Sequence, residues 1–190
     1  LTRAVETAPK MIYALRLAGR ADGRDRYYTD RQYFNAWAGT DAAWFQASYL
    51  DVNQRATFFQ VAYSSAPAMV MDTINAGSKY PTTLRDKAGD LLDGSKSYKL
   101  HMPAGIPAKA FWAVTIYNPA DGTMPATSQA FPSINQYDKV PPNADGSIDL
   151  YFGPAKPVGA SEKNWIQTMN GRAFLVTIRL YGTATEFYDQ

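Results

Sequence analysis

The feature that most constrains this chain is a change of grammar at Gly77. Before it, apolar residues recur at three- and four-residue spacing; after it, short β-branched and aromatic runs alternate with turn dipeptides. Such a chain builds helices first and then strands, with no helix between the strands to serve as a crossover. Strands joined that way pair antiparallel, in a sandwich or a barrel. The expected boundary lies at 76–78, with a helical region over 1–76 and a β domain over 77–190.

In the first part, "VETAPKMIYALRLAG" places Val5, Ala8, Ile12 and Leu15 on one helical face. Thr7 is the expected N-cap, with Pro9 in the first turn and Gly19 as the stop. The polar, aromatic stretch from Gly19 to Asp41 reads as an ordered loop, with a short helix near Trp44. A second helix is expected from Asp51, where Gln54 three residues later completes a capping box. Ala56, Phe59 and Tyr63 would line its inner face, Pro67 would kink it and Gly77 would end it.

In the second part, Tyr98, Leu100 and Met102 alternate with Lys99 and His101, the pattern of a half-buried strand. "FWAVTIY" at 111–117 is apolar on both faces and reads as a central strand. "NPADG" at 118–122 is a turn, and the Pro-, Ser- and Asn-rich run 123–142 a long excursion. "SIDLYFG", "NWIQT" and "FLVTIRLYG" (174–182) are further strands. In the last, Phe174, Val176, Ile178 and Leu180 point one way, and Thr177, Arg179 and Tyr181 the other.

"NADGSIDLYFGP", residues 143–154, raises the one question of metal binding. A twelve-residue calcium loop with Gly146 at its sixth position needs an oxygen-bearing side chain at its first and a Glu at its twelfth. Those positions are Pro141 and Phe152. The alternative is a hairpin turn at Asp145-Gly146 leading into the strand "SIDLYF", although the upstream arm "KVPPN" is a poor strand.

Composition excludes several classes. There is no Cys, which removes disulfides, thiol catalysis and thiolate metal sites, and there is one His. Several His ligands therefore cannot converge on zinc within one chain. Lys and Arg number 19 against 17 Asp and Glu, mixed along the chain, which is no footprint for nucleic acid. No apolar run approaches the length of a membrane span. "LTRAVETAPKM" shows no signal peptide and opens like the middle of a longer protein, so a fragment or processed product is expected.

The segments "YKLHMPAGIPAKAFWAVTIYNPADGTM", "NADGSIDLYFGP", "NWIQT" and "FLVTIRLYG" resemble the DUF1214 family. Together with "ETAPKM", "YYTDRQY" and "SAPAMVM", they resemble the exported bacterial proteins in which a DUF1254 domain precedes DUF1214. The resemblance covers nearly the whole chain. It implies a jelly-roll-like β-sandwich preceded by helices, an α+β protein, in a periplasmic or secreted location. It also implies a DUF1254-like N-terminal domain of the same parent chain as partner, with a second copy of this chain as the alternative. The family carries no agreed catalytic residues, so none transfer, and no cofactor or metal is implied.

The residues themselves offer three candidate groups. His101, the only residue of a type that ordinarily changes charge near neutrality, is the best single choice for acid–base chemistry, against the plainer reading of an exposed or hydrogen-bonded imidazole. Arg179 beside Tyr181 suits a carboxylate or a sugar, although an ion pair with an Asp of the helical part is the favoured reading. Asn164 and Trp165, and likewise Tyr28 and Arg31 in "YYTDRQY", combine an aromatic face with directional polar groups. Core and loop-pinning roles are favoured for both pairs. Asp90, Asp93, Asp121 and Asp145 fall in turns, and no nucleophile-elbow string is present. The resulting expectation is a non-catalytic binding or assembly module, with a small molecule or glycan as possible ligand. The alternative is a hydrolase of an ester or glycan, with a cleft between helices and sandwich.

Overall fold

A computed structural model describes residues 2–18, 26–35, 43–56 and 70–189. The chain opens with α1 (Thr2–Ala18), whose described side chains are all exposed, Val5 and Met11 among them. The helix starts five residues before Thr7, so Pro9 sits in its interior. The helix continues across Pro9 without the bond that the proline nitrogen cannot make. Its last residue, Ala18, directly precedes Gly19, which lies outside the described residues.

Near Trp44 the structure has a β-ribbon where a short helix is expected. β1 (Phe45–Gln46) pairs with β2 (Tyr49–Leu50) across a two-residue turn. Trp44 adopts φ 62° and Ala47 φ 37°, which no right-handed helix accommodates. Asp51 then caps a helical turn over 52–56, its Oδ1 accepting from Gln54 N at 3.0 Å. Phe59, Tyr63 and Pro67 lie outside the described residues. Helix does not continue to Gly77: after Val70 the backbone turns, with Asn75 at φ 64°.

The β part is a sandwich of two sheets. One is built from β3 (Ser78–Lys79), β4 (Thr82–Thr83), β6 (Ala108–Tyr117), β7 (Ser133–Asn135) and β10 (Leu175–Thr183). The other comprises β5 (Tyr98–Met102), β8 (Ile148–Gly153) and β9 (Trp165–Gln167). In the larger sheet β10 is central, with β3 and β4 on one side and β6 then β7 on the other. Its register with β6 sets Val176 opposite Ile116, Arg179 opposite Ala113 and Tyr181 opposite Phe111, with a bulge between Tyr181 and Thr183. Segment 26–35 continues this sheet beyond β4, where Phe34 exchanges backbone hydrogen bonds with Thr82 at 2.9 and 3.0 Å.

Every pair in the larger sheet is antiparallel, but β8 and β9 run parallel, a departure from the all-antiparallel expectation. The crossover between them is the "GPAKPVGAS" loop and a single 3-10 turn (Glu162–Asn164) rather than an α-helix. Three further strands went unexpected: β3 and β4, soon after Gly77, and β7, inside the 123–142 excursion. The tight turn at Asp145-Gly146 is present, with Gly146 at φ 83° and Asn143 N bonded to Ser147 O at 2.8 Å. It is not the bend of a two-stranded hairpin, because β8 pairs with β5 and β9, not with residues 139–143.

The core lies between the sheets. Val114, Ile116, Ile134 and Val176 from the larger sheet meet Met102, Ile148, Leu150, Phe152 and Ile166 from the smaller, with Leu92 and Phe174 closing one end. The alternation is therefore fixed: 176, 178 and 180 face inward, and 177, 179 and 181 outward. A second cluster ties segment 26–35 to the C-terminus, with the Tyr27 ring edge-on to Phe187 at 5.1 Å and the Tyr28 hydroxyl donating to Phe187 O at 3.0 Å.

Candidate functional site

The outward face of the larger sheet carries the most chemistry. β6 and β10 hold long and short side chains in register there. Arg179 Nη1 donates to Thr115 Oγ1 at 2.7 Å, and Nη2 donates to the Tyr117 hydroxyl. The guanidinium also lies over the Tyr117 ring, 5.4 Å from its centroid. Among the described residues no carboxylate lies within ion-pairing distance of Arg179. Among the described residues the partners of Arg179 are two hydroxyls rather than the expected Asp of the helical part, of which Asp22, Asp25 and Asp41 lie outside the described residues.

Beside Arg179 runs a row of rings. Tyr80 is edge-on to Tyr181 at 6.0 Å, Tyr181 contacts Phe111 at 5.8 Å, and Phe111 stacks on Tyr137 at 5.7 Å. On the other side, the hydroxyls are satisfied among themselves. Thr115 bonds Ser133 at 2.8 Å, and Thr177 bonds Thr82 at 3.1 Å. Burial holds the Tyr80 phenol above its ordinary pKa, as do the phenol of Tyr181 and its hydrogen bond, while Arg179 acts in the opposite sense.

His101 lies on the outward face of the smaller sheet, directly opposite Asp149. Its Nδ1 is 2.7 Å from Asp149 Oδ1, and Lys99 Nζ is 3.3 Å from Asp149 Oδ2. Asp149 is held below the ordinary carboxylate range, first by the hydrogen bond from His101 and further by the hydrogen bond and charge of Lys99, with partial desolvation opposing them. The pair has the base–orienter geometry of an acid–base dyad. The imidazole is 53% exposed, and among the described residues no hydroxyl bonds to it.

Asn164 and Trp165 are engaged in the scaffold. Asn164 Oδ1 accepts from Ser161 N at 2.8 Å and its Nδ2 donates to Asp149 O at 3.1 Å, so it props the strand that carries Asp149. Trp165 is buried, with Nε1 donating to Gly153 O at 3.1 Å, which leaves no open ring face for stacking a sugar. Arg31 stacks over Tyr28 at 4.8 Å and pairs with Asp30 at 3.4 Å in an exposed position. The candidates thus fall in three places, with only Arg179 and Tyr181 sharing one face and His101 and Asn164 linked through Asp149. Among the turn carboxylates, Asp93, Asp121 and Asp145 accept from the backbone two residues on, while Asp86 rather than Asp90 organises its turn. Among the described residues no group of three His, Asp or Glu is placed to hold a metal ion.

Two features escaped sequence reasoning. Lys79 on β3 is buried, paired with Asp72 and bonded to Val70 O at 3.3 Å; a lysine between Ser78 and Tyr80 gives no signal of burial. The β1–β2 ribbon exposes Phe45, Tyr49, Leu50 and, just after it, Val52. Among the described residues, no helix is long and apolar enough to cross a membrane.

Comparison with known proteins adds the lineage. A protein from Vibrio parahaemolyticus of known crystal structure matches with a TM-score of 0.55 and 21% identity, over 72% of this chain and 32% of its own. An uncharacterised protein from Burkholderia cenocepacia matches with a TM-score of 0.42 and 20% identity, over 61% of this chain and 29% of its own. The chain thus spans about a third of the length of these two structures, and the likeness to the first supports the fold alone. No curated protein matches. The model of DUF1214, described as a protein of unknown function, matches residues 77–185, most of the chain, and the chain belongs to the DUF1214 family.

Proposed function

We propose that this chain is a non-catalytic assembly module of an exported envelope protein, whose N-terminal region docks onto a DUF1254-type domain. The observation that carries this reading is the apolar β1–β2 ribbon. Phe45 is 65% exposed, Tyr49 54%, Leu50 38% and Val52 61%, in a two-stranded sheet that pairs with no other strand among the described residues. Two-stranded ribbons are marginal alone, and clustered exposed apolar side chains mark interaction surfaces. The occupant is argued from length. The Vibrio parahaemolyticus protein extends far beyond the part that this chain matches, and the sequence resemblance sets a DUF1254-type domain in such proteins. The periplasmic or secreted location rests on the same resemblance. The alternative, a hydrolase of an ester or glycan, draws on the oriented His101–Asp149 pair alone.

The test is to mix the chain with a separately produced DUF1254-type domain and measure mass by light scattering. A one-to-one complex is expected, lost in a Phe45→Ser, Leu50→Ser double variant that keeps its native circular dichroism. No complex, or a homodimer through the same residues, sinks the reading. Reproducible ester or glycan turnover that His101→Gln abolishes would replace it with the hydrolase.

A further inference from the structure

We propose that the outward face of the larger sheet, around Arg179, is a binding site for a small monocarboxylic acid with an aromatic or similarly flat apolar body. The first ground is charge. A guanidinium drawn partly out of water is normally matched by a carboxylate. Arg179 is half-buried and is held by Thr115 and Tyr117, whose hydroxyls orient the fork but do not neutralise it.

The second ground is the donor inventory. A guanidinium has five N–H groups in one plane, and two parallel ones fit a carboxylate. The contacts to Thr115 and Tyr117 use one hydrogen on each terminal nitrogen, which leaves three donors, including Nε. The hydroxyls beneath, Thr115 with Ser133 and Thr177 with Thr82, are already paired, so they do not compete for the ligand.

The third ground is shape. Opposite Arg179 in register stands Ala113, which contributes only a methyl group. One step along the strands stand Tyr181 and Phe111, continued by Tyr80 and Tyr137. An acid gripped by the fork thus has ring surface beside it for its apolar body. A single cation favours a singly charged acid over a dianionic phosphate. The next cation of β6 on this face, Lys109, lies beyond the Phe111–Tyr181 row.

The experiment is calorimetric titration of the full chain with phenylacetate, phenylacetamide and inorganic phosphate, repeated on Arg179→Met and Arg179→Lys with the fold checked by circular dichroism. Phenylacetate should bind saturably with a Kd of about 1 mM or tighter, with the amide at least ~10-fold weaker. Arg179→Met should lose at least ~10-fold, and Arg179→Lys, which keeps the charge without the fork, should fall between. The proposal is overturned by equal binding of acid and amide, by preferred binding of phosphate, by a natively folded Arg179→Met that titrates like the parent, or by no saturation below ~20 mM. The acid–amide comparison uses the unaltered chain, so it decides the matter even where a variant fails to fold.

Discussion

The ammonium of Lys79, on the first strand of the larger sheet, forms an ion pair with Asp72 in the segment that leads into it. Lys79 is 3% exposed and Asp72 46%, and the same ammonium lies 5.9 Å from the centroid of the Tyr188 ring. One side chain therefore fastens the connector, the sheet and the C-terminal turn together.

Removing its counter-ion should be costly. Asp72→Ala leaves a buried ammonium with one carbonyl and one ring face. Its destabilisation should be about 2 kcal/mol, below the ~3–5 kcal/mol of a fully enclosed pair because Asp72 is half in water. Lys79→Met, which removes the charge and keeps the stem, should cost less than Asp72→Ala. Urea denaturation of both variants gives the order, and the reverse order would show that the pair is not what holds this corner.

A second prediction concerns Gly94. A Cβ there would lie 2.2 Å from Met169 O and 2.8 Å from Arg172 O, both backbone atoms. Gly94→Ala should therefore lower stability by more than ~3 kcal/mol, as a backbone clash inside packed structure does. Gly89→Ala is the contrast: φ is +92°, but nothing lies within 4 Å of the added methyl. Its cost should be only the ~1–2 kcal/mol of a side chain in left-handed backbone. Thermal unfolding of the pair separates steric clash from backbone strain.

Stability should fall at both ends of the pH scale, for opposite reasons. Asp149 is depressed, first by His101; Asp93 and Asp145 are depressed by the side-chain and backbone donors of Ser95 and Ser147. A depressed carboxylate supplies stability above its unfolded pKa, near ~4, and loses it as pH falls further. Asp149→Asn should flatten the acid limb of a stability–pH curve without altering its alkaline limb. Tyr27 and Tyr33 are raised, chiefly by burial. Their contribution is complete below ~10 and is lost as pH rises toward their folded values. Phenolate absorbance of these two tyrosines should thus appear only as the chain unfolds; their ionisation in the native state would contradict the raised values.

The parts legible in the sequence were those set by local alternation. β6 and β10 announce themselves, and the period of two placed Arg179 and Tyr181 outward beside each other. What went unread depended on register with distant strands or on backbone conformations the residue types do not signal. β7 has a single apolar residue, Ile134, within a Pro-rich run, and is a strand because Ala113, Val114 and Thr115 offer it an edge. The Trp44 region turns on residues at positive φ that carry no glycine to advertise it. Asp149 was never singled out, because only the β5–β8 register brings it against His101. The same holds for the hydroxyl partners of Arg179: Thr115 and Tyr117 precede it by more than sixty residues in sequence.

The centrality of β10 has a consequence for how the molecule comes into being. The strand that β3, β4 and β6 all pair with is, among the described residues, the last to be made. During synthesis β6 leaves the ribosome with its β10 edge open, β3 with no strand partner in its sheet, and β4 with only the Phe34 bridge, until residues 175–183 arrive. Contacts so distant in sequence form slowly, and open edges invite pairing with other chains. A nascent chain of this kind stays vulnerable until residues 175–183 are made, and a stop codon that removed β10 would leave an aggregation-prone remnant rather than a smaller working domain.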